Sequence, residues 1–487
     1  MSTISPLDMA FLLLENATRR MHMTAFMIFA KPKGQEKSFG PRLVEAYRAS
    51  EAVRPFNFKL KWLGKGIATW ETVKPDMGYH VRHLAIPSPG SMQQFYETVS
   101  FLNTSLLDRG HPLWECYVID GIEHDRIAVM IKVHHALIDG EGGLRVMRNC
   151  LSDSPRSKRL AAPWMAFGPA EKTRRPRPNV SQMQKLQAQL KRLTRLPGDL
   201  IGIGNDVIEL GAQSLNLKPR MTSLPFTAKP TLFNNTPKSA ARAYANMELP
   251  LDEVRALAKT TGTSVNDVVM TLIDHALHQY LREQKAPASQ PLVAFMPMSM
   301  RDETTGEGGN QVTVELIAMG APAANIRERL QQINAATQSA KAKGRGMQKV
   351  ARQAYALVLT GSLTMADSLP LMDKIPSANL VISNMKGPSE QLYLGGAPMV
   401  AFHGLPILPP GAGLNVTFAS VNKDICLAIG AAPEAVREPY RIAELIEQGF
   451  RSLRVGAGGT PFNKTQRVRK TTRSTPATRQ STIRRKP

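Results

Sequence analysis

Alternating apolar strands and helical periodicities run through the first part of the chain, from residue 1 to about 155. The clearest strand pattern is Arg126 to Val133 (RIAVMIKV), which a polar turn precedes and a glycine-rich stretch follows. Alternation of strands with helices is typical of an α/β domain built around one sheet. We therefore predict an N-terminal α/β domain over 1–155.

A second α/β pattern extends over 236–460. Ser264 and Asp267 have the spacing of a capping box, and the apolar-periodic run that follows them predicts a helix. Later in this region, 413–418 and 425–430 have strand patterns around a short polar turn. The sequence therefore predicts a second domain of the same class.

The segment between the two domains, 156–235, is rich in proline and basic side chains and is predicted to be a crossover linker. Within it, 181–196 has a helical period with leucines on one side and cations on the other. This amphipathic helix either lies on the protein's own surface or enters a lipid interface with its apolar side. After residue 460 the periodicity ends, so we predict a basic, disordered tail over 461–487.

Composition excludes several classes of protein. With 487 residues, 43% of them hydrophobic, the chain is too long for one small module and too apolar for wholesale disorder. No apolar stretch approaches the ~20 residues of a membrane span, and the run Met9 to Leu14 lacks a basic leader, so we expect neither a transmembrane helix nor a signal peptide. The three cysteines lack metal-ligand spacing, and a reducing cytoplasm is the expected location.

The formal net charge of +23 is concentrated in two segments. Residues 156–200 and 461–487 each carry a net charge of +9, and the rest of the chain carries about +5. A nucleic-acid-binding fold more often has its basic residues on a folded face, with aromatic residues among them. We therefore expect no nucleic acid, and we predict attachment to an anionic membrane or to the surface of a lipid inclusion.

The strongest chemical signal is His134-His135-Ala-Leu-Ile-Asp139-Gly140, directly after the predicted strand. Side chains of adjacent strand residues point to opposite sides, so one histidine is expected to be chemical and the other structural. A general base for a hydroxyl needs one imidazole in a fixed tautomer. The spacing fits neither a zinc helix nor a hydrolase nucleophile elbow, so we expect no metal.

HHxxxDG is the signature of the coenzyme A-dependent acyltransferase superfamily, and further stretches make the chain resemble one family within it. These stretches are Ser5-Pro6-Leu7-Asp8, Tyr79-His80-Val81-Arg82, Pro112-Leu113-Trp114-Glu115, Asn266-Asp267, Met298-Ser299-Met300-Arg301 and Ser383-Asn384-Met385-Lys386-Gly387-Pro388. In this order, over about residues 3 to 450, the chain is similar to the bacterial wax ester synthase/diacylglycerol acyltransferase family. Met385-Lys386 stands where the family usually has Val-Pro, and Arg20 stands where it has proline.

The resemblance implies two domains like that of chloramphenicol acetyltransferase, each a mixed sheet flanked by helices, with a tunnel between them. It implies no cofactor, with acyl-CoA as co-substrate and a long-chain alcohol or diacylglycerol as acceptor. In that family the second histidine of the motif is the base. We therefore expect His135 to deprotonate the acceptor hydroxyl for attack on the thioester, with His134 in support.

The same resemblance suggests roles for other motif residues. Asp139 is expected to pair with Arg301 across the domains, or else to cap the next helix. Asn266 is expected either to help hold the oxyanion or to be only a first-turn residue of its helix, beside Asp267.

Two more groups complete the predicted site. Pro112 and Trp114 are expected to pack beside it and shape it. A turn at the tunnel is expected to be formed by Ser383, Asn384, Gly387 and Pro388, because Gly and Pro are what a sharp bend near a ligand requires, with a purely structural turn as the alternative.

Three functions are consistent with these residues. The first is an acyl-CoA-dependent O-acyltransferase that makes wax ester or triacylglycerol, peripheral at a membrane or lipid inclusion. The second is a condensation-type enzyme that uses acyl groups on a carrier protein, although the chain contains no carrier module. The third is a non-catalytic lipid-surface protein, which the complete HHxxxDG motif disfavours.

Overall fold

In the part of the chain that the structure describes, two six-stranded mixed sheets form the centre, and a small three-stranded sheet packs beside the first of them. The computed structural model describes residues 2–4, 6–64, 67–138, 140–165, 228–299, 312–346, 376–409 and 411–456. Asp139, Arg301, most of the basic linker with its predicted amphipathic helix, and the tail lie outside the described residues.

Within those ranges the strands are β1 Ser2–Thr3, β2 His22–Ala30, β3 Phe58–Gly64, β4 Ile67–Thr72, β5 Val81–Ala85, β6 Trp114–Ile122, β7 Arg126–His134, β8 Ala243–Pro250, β9 Val293–Ser299, β10 Val312–Ala318, β11 Leu380–Lys386, β12 Tyr393–Leu394, β13 Ala397–Leu405, β14 Leu414–Val421 and β15 Asp424–Ala431. The α-helices are α1 Pro6–Leu14, α2 Phe39–Arg48, α3 Met77–His80, α4 Met92–Leu102, α5 Gly140–Cys150, α6 Leu251–Thr261, α7 Val265–Glu283, α8 Ile326–Gly346 and α9 Pro439–Gly456.

The N-terminal sheet has the strand order β12-β13-β2-β7-β6-β5. Strands β5 and β6 are parallel and the other neighbours are antiparallel, so the sheet is mixed, as predicted. β7 confirms the predicted strand and extends it by one residue, to His134. After its first residue β7 is buried throughout, because it lies inside the sheet and apolar layers cover both faces.

Two strands of the N-terminal sheet come from the C-terminal part of the chain. β13 pairs with β2, with Phe402 opposite Met27, and β12 extends the edge. Leu394, Ala397 and Met399 are buried in the N-terminal core. The sequence analysis did not predict this exchange, because the alternation within a strand does not show which sheet it joins.

The C-terminal sheet has the order β10-β9-β11-β14-β15-β8, with β11 parallel to both of its neighbours. Helices α6 to α9 cover its core face. The predicted strands at 413–418 and 425–430 are confirmed as β14 and β15. The capping box is confirmed as well: Ser264 Oγ accepts from the Asp267 amide, and Asp267 accepts in return from the Ser264 amide.

The small sheet, in the order β1-β4-β3, packs with α1 against the loop that follows β7. Their contact is a separate apolar group that we call the satellite cluster: Leu12, Leu60, Ala68, Trp70, Leu107, Leu113 and Ala136. Phe11 and Leu137 pack against it. The cluster therefore includes the residue directly after His135 in the chain.

Candidate active site

His134, the last residue of β7, is completely buried. Its Nδ1 accepts a hydrogen bond from the Ala136 amide at 3.1 Å, so the neutral ring carries its proton on Nε2. Nε2 lies 3.4 Å from Glu15 Oε1. Both ring nitrogens therefore face protein groups, as expected of the structural member of the pair.

Glu15 is the principal residue that the sequence analysis missed. Its carboxylate also accepts from the Met21 amide and from Arg109 Nη2, each at 3.3 Å. Burial raises the pKa of Glu15, but the contact with His134 and the hydrogen bond from the Met21 amide outweigh burial and lower this pKa to about 2. The only sequence signal was its position directly after the apolar run of α1, where a carboxylate resembles an ordinary surface residue.

A buried polar layer continues from His134 along the same face of the sheet. His22, which is opposite His134 in the register of β2 and β7, places Nε2 3.0 Å from Asn103 Oδ1. Burial, then the charge of Lys132, lowers the pKa of His22 to about 3, which keeps its ring neutral. Lys132 is itself buried, and its Nζ donates to the Ser105 carbonyl at 2.7 Å. The layer anchors the strand end from which the motif loop starts.

His135 is in a different environment from His134. It begins the turn after β7, it is only partly buried, and its amide donates to the Met21 carbonyl at 2.8 Å. Its ring stacks on Phe11, with centroids 4.3 Å apart and planes 28° from parallel. The backbone hydrogen bond and the stacked ring hold His135 in place while part of it remains exposed. Of the two histidines, it is the one with exposed surface.

Gly140, the first residue of α5, is the point at which the HHxxxDG motif lies close to the C-terminal sheet. A Cβ at this position would lie 2.9 Å from Met385 Sδ, so the glycine allows a close approach to β11. On the same strand, Asn384 Nδ2 donates to Asn266 Oδ1 at 3.0 Å. Three predicted site residues, Gly140, Asn266 and Asn384, are therefore close to one short stretch of β11.

Asn266 and Asp267 are neighbours at the start of α7 with different surroundings. Asn266 Nδ2 is 3.2 Å from Met270 Sδ, a weak acceptor that a better one can replace. Asp267 is buried; besides its capping bonds, it accepts from Thr337 Oγ1 on α8 at 2.6 Å. Asp267 therefore joins two helices, whereas Asn266 is partly exposed beside β11.

Pro112 and Trp114 lie behind the motif. The Trp114 ring is fully buried, donates from Nε1 to the Phe56 carbonyl at 2.7 Å and stacks on His80 at 4.2 Å. Pro112 is buried, and its carbonyl accepts from the Trp114 amide. Between them, the Leu113 carbonyl accepts from the His134 amide at 2.9 Å. This segment supports the end of β7 from the side opposite β2.

The prediction of a turn is wrong for Ser383 and Asn384, which lie inside β11 beside β14. Gly387 and Pro388 do follow the end of the strand. The turn begins after Lys386, where a Cβ on Gly387 would lie 2.5 Å from the Ser420 carbonyl oxygen. Among the described residues, no three His, Cys, Asp or Glu side chains are grouped closely enough to hold a metal ion. Nor does any described helix have the length and apolar character needed to cross a membrane.

These features define a class of protein. Two mixed six-stranded sheets, with the HHxxxDG segment at the point where they meet, are the architecture of a two-domain coenzyme A-dependent acyltransferase. Two family models match the chain: the wax ester synthase/diacylglycerol acyltransferase catalytic domain over residues 4–269, and the WS/DGAT C-terminal domain over residues 308–454.

The chain belongs to the wax ester synthase/diacylglycerol acyltransferase family and is an acyl-CoA-dependent O-acyltransferase. It is 66% identical over 464 residues to the probable diacylglycerol O-acyltransferase Tgs4 of Mycobacterium tuberculosis, covering 94% of this chain and 98% of that protein. The wax ester synthase/diacylglycerol acyltransferase of Marinobacter aquaeolei has a similar structure, with a TM-score of 0.72, 25% identity and coverage of 94% and 100%.

A more distant structural likeness supports the fold alone. The first condensation domain of the CDA synthetase has a TM-score of 0.54 at 12% identity, covering 94% of this chain and 96% of that one. The resemblance predicted from the sequence motifs is thus confirmed for family, fold class and enzyme class.

Proposed function

We propose that this protein transfers a long-chain acyl group from acyl-CoA to the free hydroxyl of diacylglycerol, with His135 as the general base. The observation that carries the proposal is the contrast within the motif: His134 is buried on Glu15 and the Ala136 amide, and His135 is partly exposed on Phe11. Diacylglycerol is the favoured acceptor because the relative with 66% identity is named for it.

The reaction needs one base and no covalent enzyme intermediate. The His135 imidazole takes the hydroxyl proton while the acceptor oxygen attacks the thioester carbonyl carbon. The tetrahedral oxyanion then collapses, the carbon–sulfur bond breaks, and the proton passes from His135 to the departing thiolate. The products are triacylglycerol and free CoA, and no cofactor or metal takes part.

Asn266 is our candidate for the oxyanion contact. Its amide nitrogen contacts the thioether sulfur of Met270, and an oxyanion in its place would be a better acceptor. Asn384 donates to the other end of the same amide and so fixes which end of Asn266 is the donor. We propose that Asp139 pairs with Arg301 and so has a structural role. We also propose that the substrates reach the site through a tunnel between the two sheets.

We further propose that the enzyme works at a lipid surface. The acceptor and the product are insoluble in water, and the two most basic segments of the chain, 156–200 and 461–487, provide charge for attachment to anionic lipid. A peripheral position at the cytoplasmic membrane, or on lipid inclusions, would keep the enzyme where its substrate is.

The proposal is tested by supplying purified protein with labelled palmitoyl-CoA and either dioleoylglycerol or hexadecanol, then separating the lipid products. Labelled triacylglycerol is the expected main product. Labelled wax ester alone would show that the acceptor is a fatty alcohol and not diacylglycerol. Labelled fatty acid without either ester would contradict acyl transfer.

A further inference from the structure

Two arginines bind across the boundary between the two large sheets, near the start of β2 and of β8. Arg20, two residues before β2, donates from Nη2 to the Ala240 carbonyl oxygen, three residues before β8. Arg242, directly before β8, donates from Nη2 in the opposite direction, to the Thr18 carbonyl oxygen. β2 belongs to the N-terminal sheet and β8 to the C-terminal sheet. We call Arg20 and Arg242 the arginine clamp.

The acceptors show why the clamp needs arginine. Arg20 also donates from Nη1 to the Thr104 carbonyl at 2.6 Å, and Arg242 donates from Nη1 to the Ala241 carbonyl at 2.7 Å. Each planar guanidinium thus binds carbonyl oxygens on both sides of it, which the ammonium head of lysine does not reproduce in the same geometry. Burial, and after it the charge of Arg20, lowers the pKa of Arg242 to about 10, so this group keeps its proton at neutral pH.

Arg20 is one residue away from the main-chain contact that holds His135. Met21, the next residue, is buried, and its carbonyl accepts from the His135 amide at 2.8 Å. Arg20 is itself only 5% exposed, so neither residue can move without disturbing packed neighbours. A shift of the main chain at Arg20 therefore reaches the backbone of His135 through a single peptide unit.

Side chains make a second connection between β8 and β2. Tyr244, on β8, accepts a hydrogen bond from Asn103 Nδ2 at 2.6 Å. Asn103 Oδ1 accepts from Thr24 Oγ1 at 2.6 Å and lies 3.0 Å from His22 Nε2, both on β2. Because Asn103, Thr24 and His22 are buried, this connection is not exchanged readily for water.

The clamp is separate from the contact that the motif makes at β11, where Gly140 approaches Met385. In the order of the C-terminal sheet, β8 is three positions from β11, roughly 14 Å at ordinary strand spacing. Two attachments at this separation restrict rotation of one sheet relative to the other more than either does alone.

We propose that Arg20 and Arg242 are positioning residues for acyl transfer: the arginine clamp keeps β8 against the start of β2 and so holds His135 in place relative to the C-terminal sheet. The inference rests on the proposed function, in which His135 is the base and Asn266, beside β11, contacts the oxyanion. A displacement of about 1 Å between such groups can cost about 10²-fold in rate.

A kinetic double-mutant cycle between Arg20 and His135 tests the proposal. With palmitoyl-CoA and dioleoylglycerol, Arg20→Ala should lower kcat about tenfold and leave both KM values within about twofold of wild type, because the base is misplaced while substrate-binding groups remain. In the His135→Ala background, the same substitution should change the residual rate by less than about twofold, since no base is left to position. A tenfold loss in both backgrounds would overturn the proposal, as would wild-type kcat in Arg20→Ala.

Two further variants keep the test decisive if Arg20→Ala does not fold. Arg20→Lys keeps the charge with fewer donors, so its kcat should lie between wild type and the tenfold loss. Arg242 is partly exposed, and Arg242→Ala should show the same loss of kcat and the same dependence on His135. Arg451→Ala is the matched control, since this exposed arginine of α9 pairs with Glu447, and it should keep wild-type kcat. Equal losses in Arg242→Ala and Arg451→Ala, or none in Arg242→Ala, would overturn the proposal.

Spin-label distances show whether the clamp fixes the two sheets. Labels at Glu45→Cys on α2 and Lys259→Cys on α6 lie at exposed positions, with one helix packed on each sheet, and the three native cysteines are buried. Arg242→Ala should broaden or shift the distance distribution, and Arg451→Ala should not. An unchanged distribution in Arg242→Ala would overturn the proposal.

These distances also separate this inference from the proposed function. If wild type forms no ester, or if His135→Ala is as active as wild type, the proposed function fails. The spin-label measurement needs no turnover, so it still decides whether Arg20 and Arg242 hold the two sheets together.

Discussion

His134 and His135 are neighbours in the sequence, but their rings have different surroundings. Both nitrogens of His134 face protein groups, and the ring holds the end of β7 through Glu15 and the Ala136 amide. We therefore expect His134→Ala to lower the free energy of unfolding by about 1–3 kcal/mol, because buried partners lose their hydrogen bonds. His134→Asn, whose side-chain oxygen can replace Nδ1 as acceptor, should lose less.

Chemical unfolding and acyl-transfer rates, measured on both variants, check this assignment. A positioning role predicts that activity recovers together with stability in His134→Asn. Wild-type stability combined with a complete loss of turnover in both variants would show that His134 acts on the substrate itself.

Glu15 makes stability depend on pH. Its pKa is about 2 in the folded protein and 4.5 in a model compound, so the folded state binds its proton less readily than the unfolded state. The stabilisation from the ionised carboxylate is therefore present above about pH 4.5 and is lost as pH falls towards 2. We expect Glu15→Gln to be less stable than wild type at pH 7. Between about pH 4.5 and pH 2, the variant should lose less free energy of unfolding than wild type does, because it has no carboxylate to protonate at this position.

Thermal unfolding from pH 7 to pH 3 measures the effect of Glu15→Gln. Glu45→Gln is the control, since that carboxylate is exposed on the surface of α2. Parallel stability curves for wild type and Glu15→Gln would mean that Glu15 does not titrate in the way that its contacts imply.

At the scale of elements, the start of α7 joins the candidate site to the C-terminal core. Asp267 caps the helix through Ser264 and accepts from Thr337 of α8, while the next residue back, Asn266, accepts from Asn384. We expect Asp267→Ala to cost about 1–3 kcal/mol, because the cap and a buried hydrogen bond are lost together.

Urea unfolding measures the free energies of unfolding of Asp267→Ala and of a control, Asp252→Ala. Asp252 also lies in the first turn of a helix, α6, but its side chain is 79% exposed. The control should change stability by less than about 0.5 kcal/mol. Equal effects of the two substitutions would show that Asp267 contributes only a surface charge.

Elements with a strong local signal were predictable from sequence, and contacts between distant segments were not. The apolar run of β7 and the capping box of α7 are local, and both were confirmed. The pairing of β13 with β2, the contact of Gly140 with Met385 and the burial of Glu15 against His134 join residues far apart in the chain. Such contacts follow from packing and leave no periodicity in the sequence.

At the scale of the whole molecule, the pairing of β13 with β2 ties the two sheets together, and most of the two basic segments falls outside the described residues. We predict that deleting 461–487 weakens binding to anionic vesicles at low salt, since each basic residue near the surface contributes up to ~1 kcal/mol. Added salt should reproduce the deletion, because the Debye length is about 10 Å at 0.1 M.

Co-sedimentation of full-length and truncated protein with anionic and neutral vesicles measures the contribution of the tail. Binding that survives both truncation and added salt would come from apolar contacts elsewhere in the chain. If both forms bind anionic vesicles equally at low salt, the tail has no part in attachment.

The central claim is that His135 removes the proton from the acceptor hydroxyl. Its most direct test is the rate of labelled triacylglycerol formation from palmitoyl-CoA and dioleoylglycerol by wild type and by His135→Ala at equal, verified folding. The account predicts a rate about 10² to 10⁴ lower in the variant, as is typical when a general base is lost. A rate within about twofold of wild type would contradict it, because removing a general base has a much larger effect.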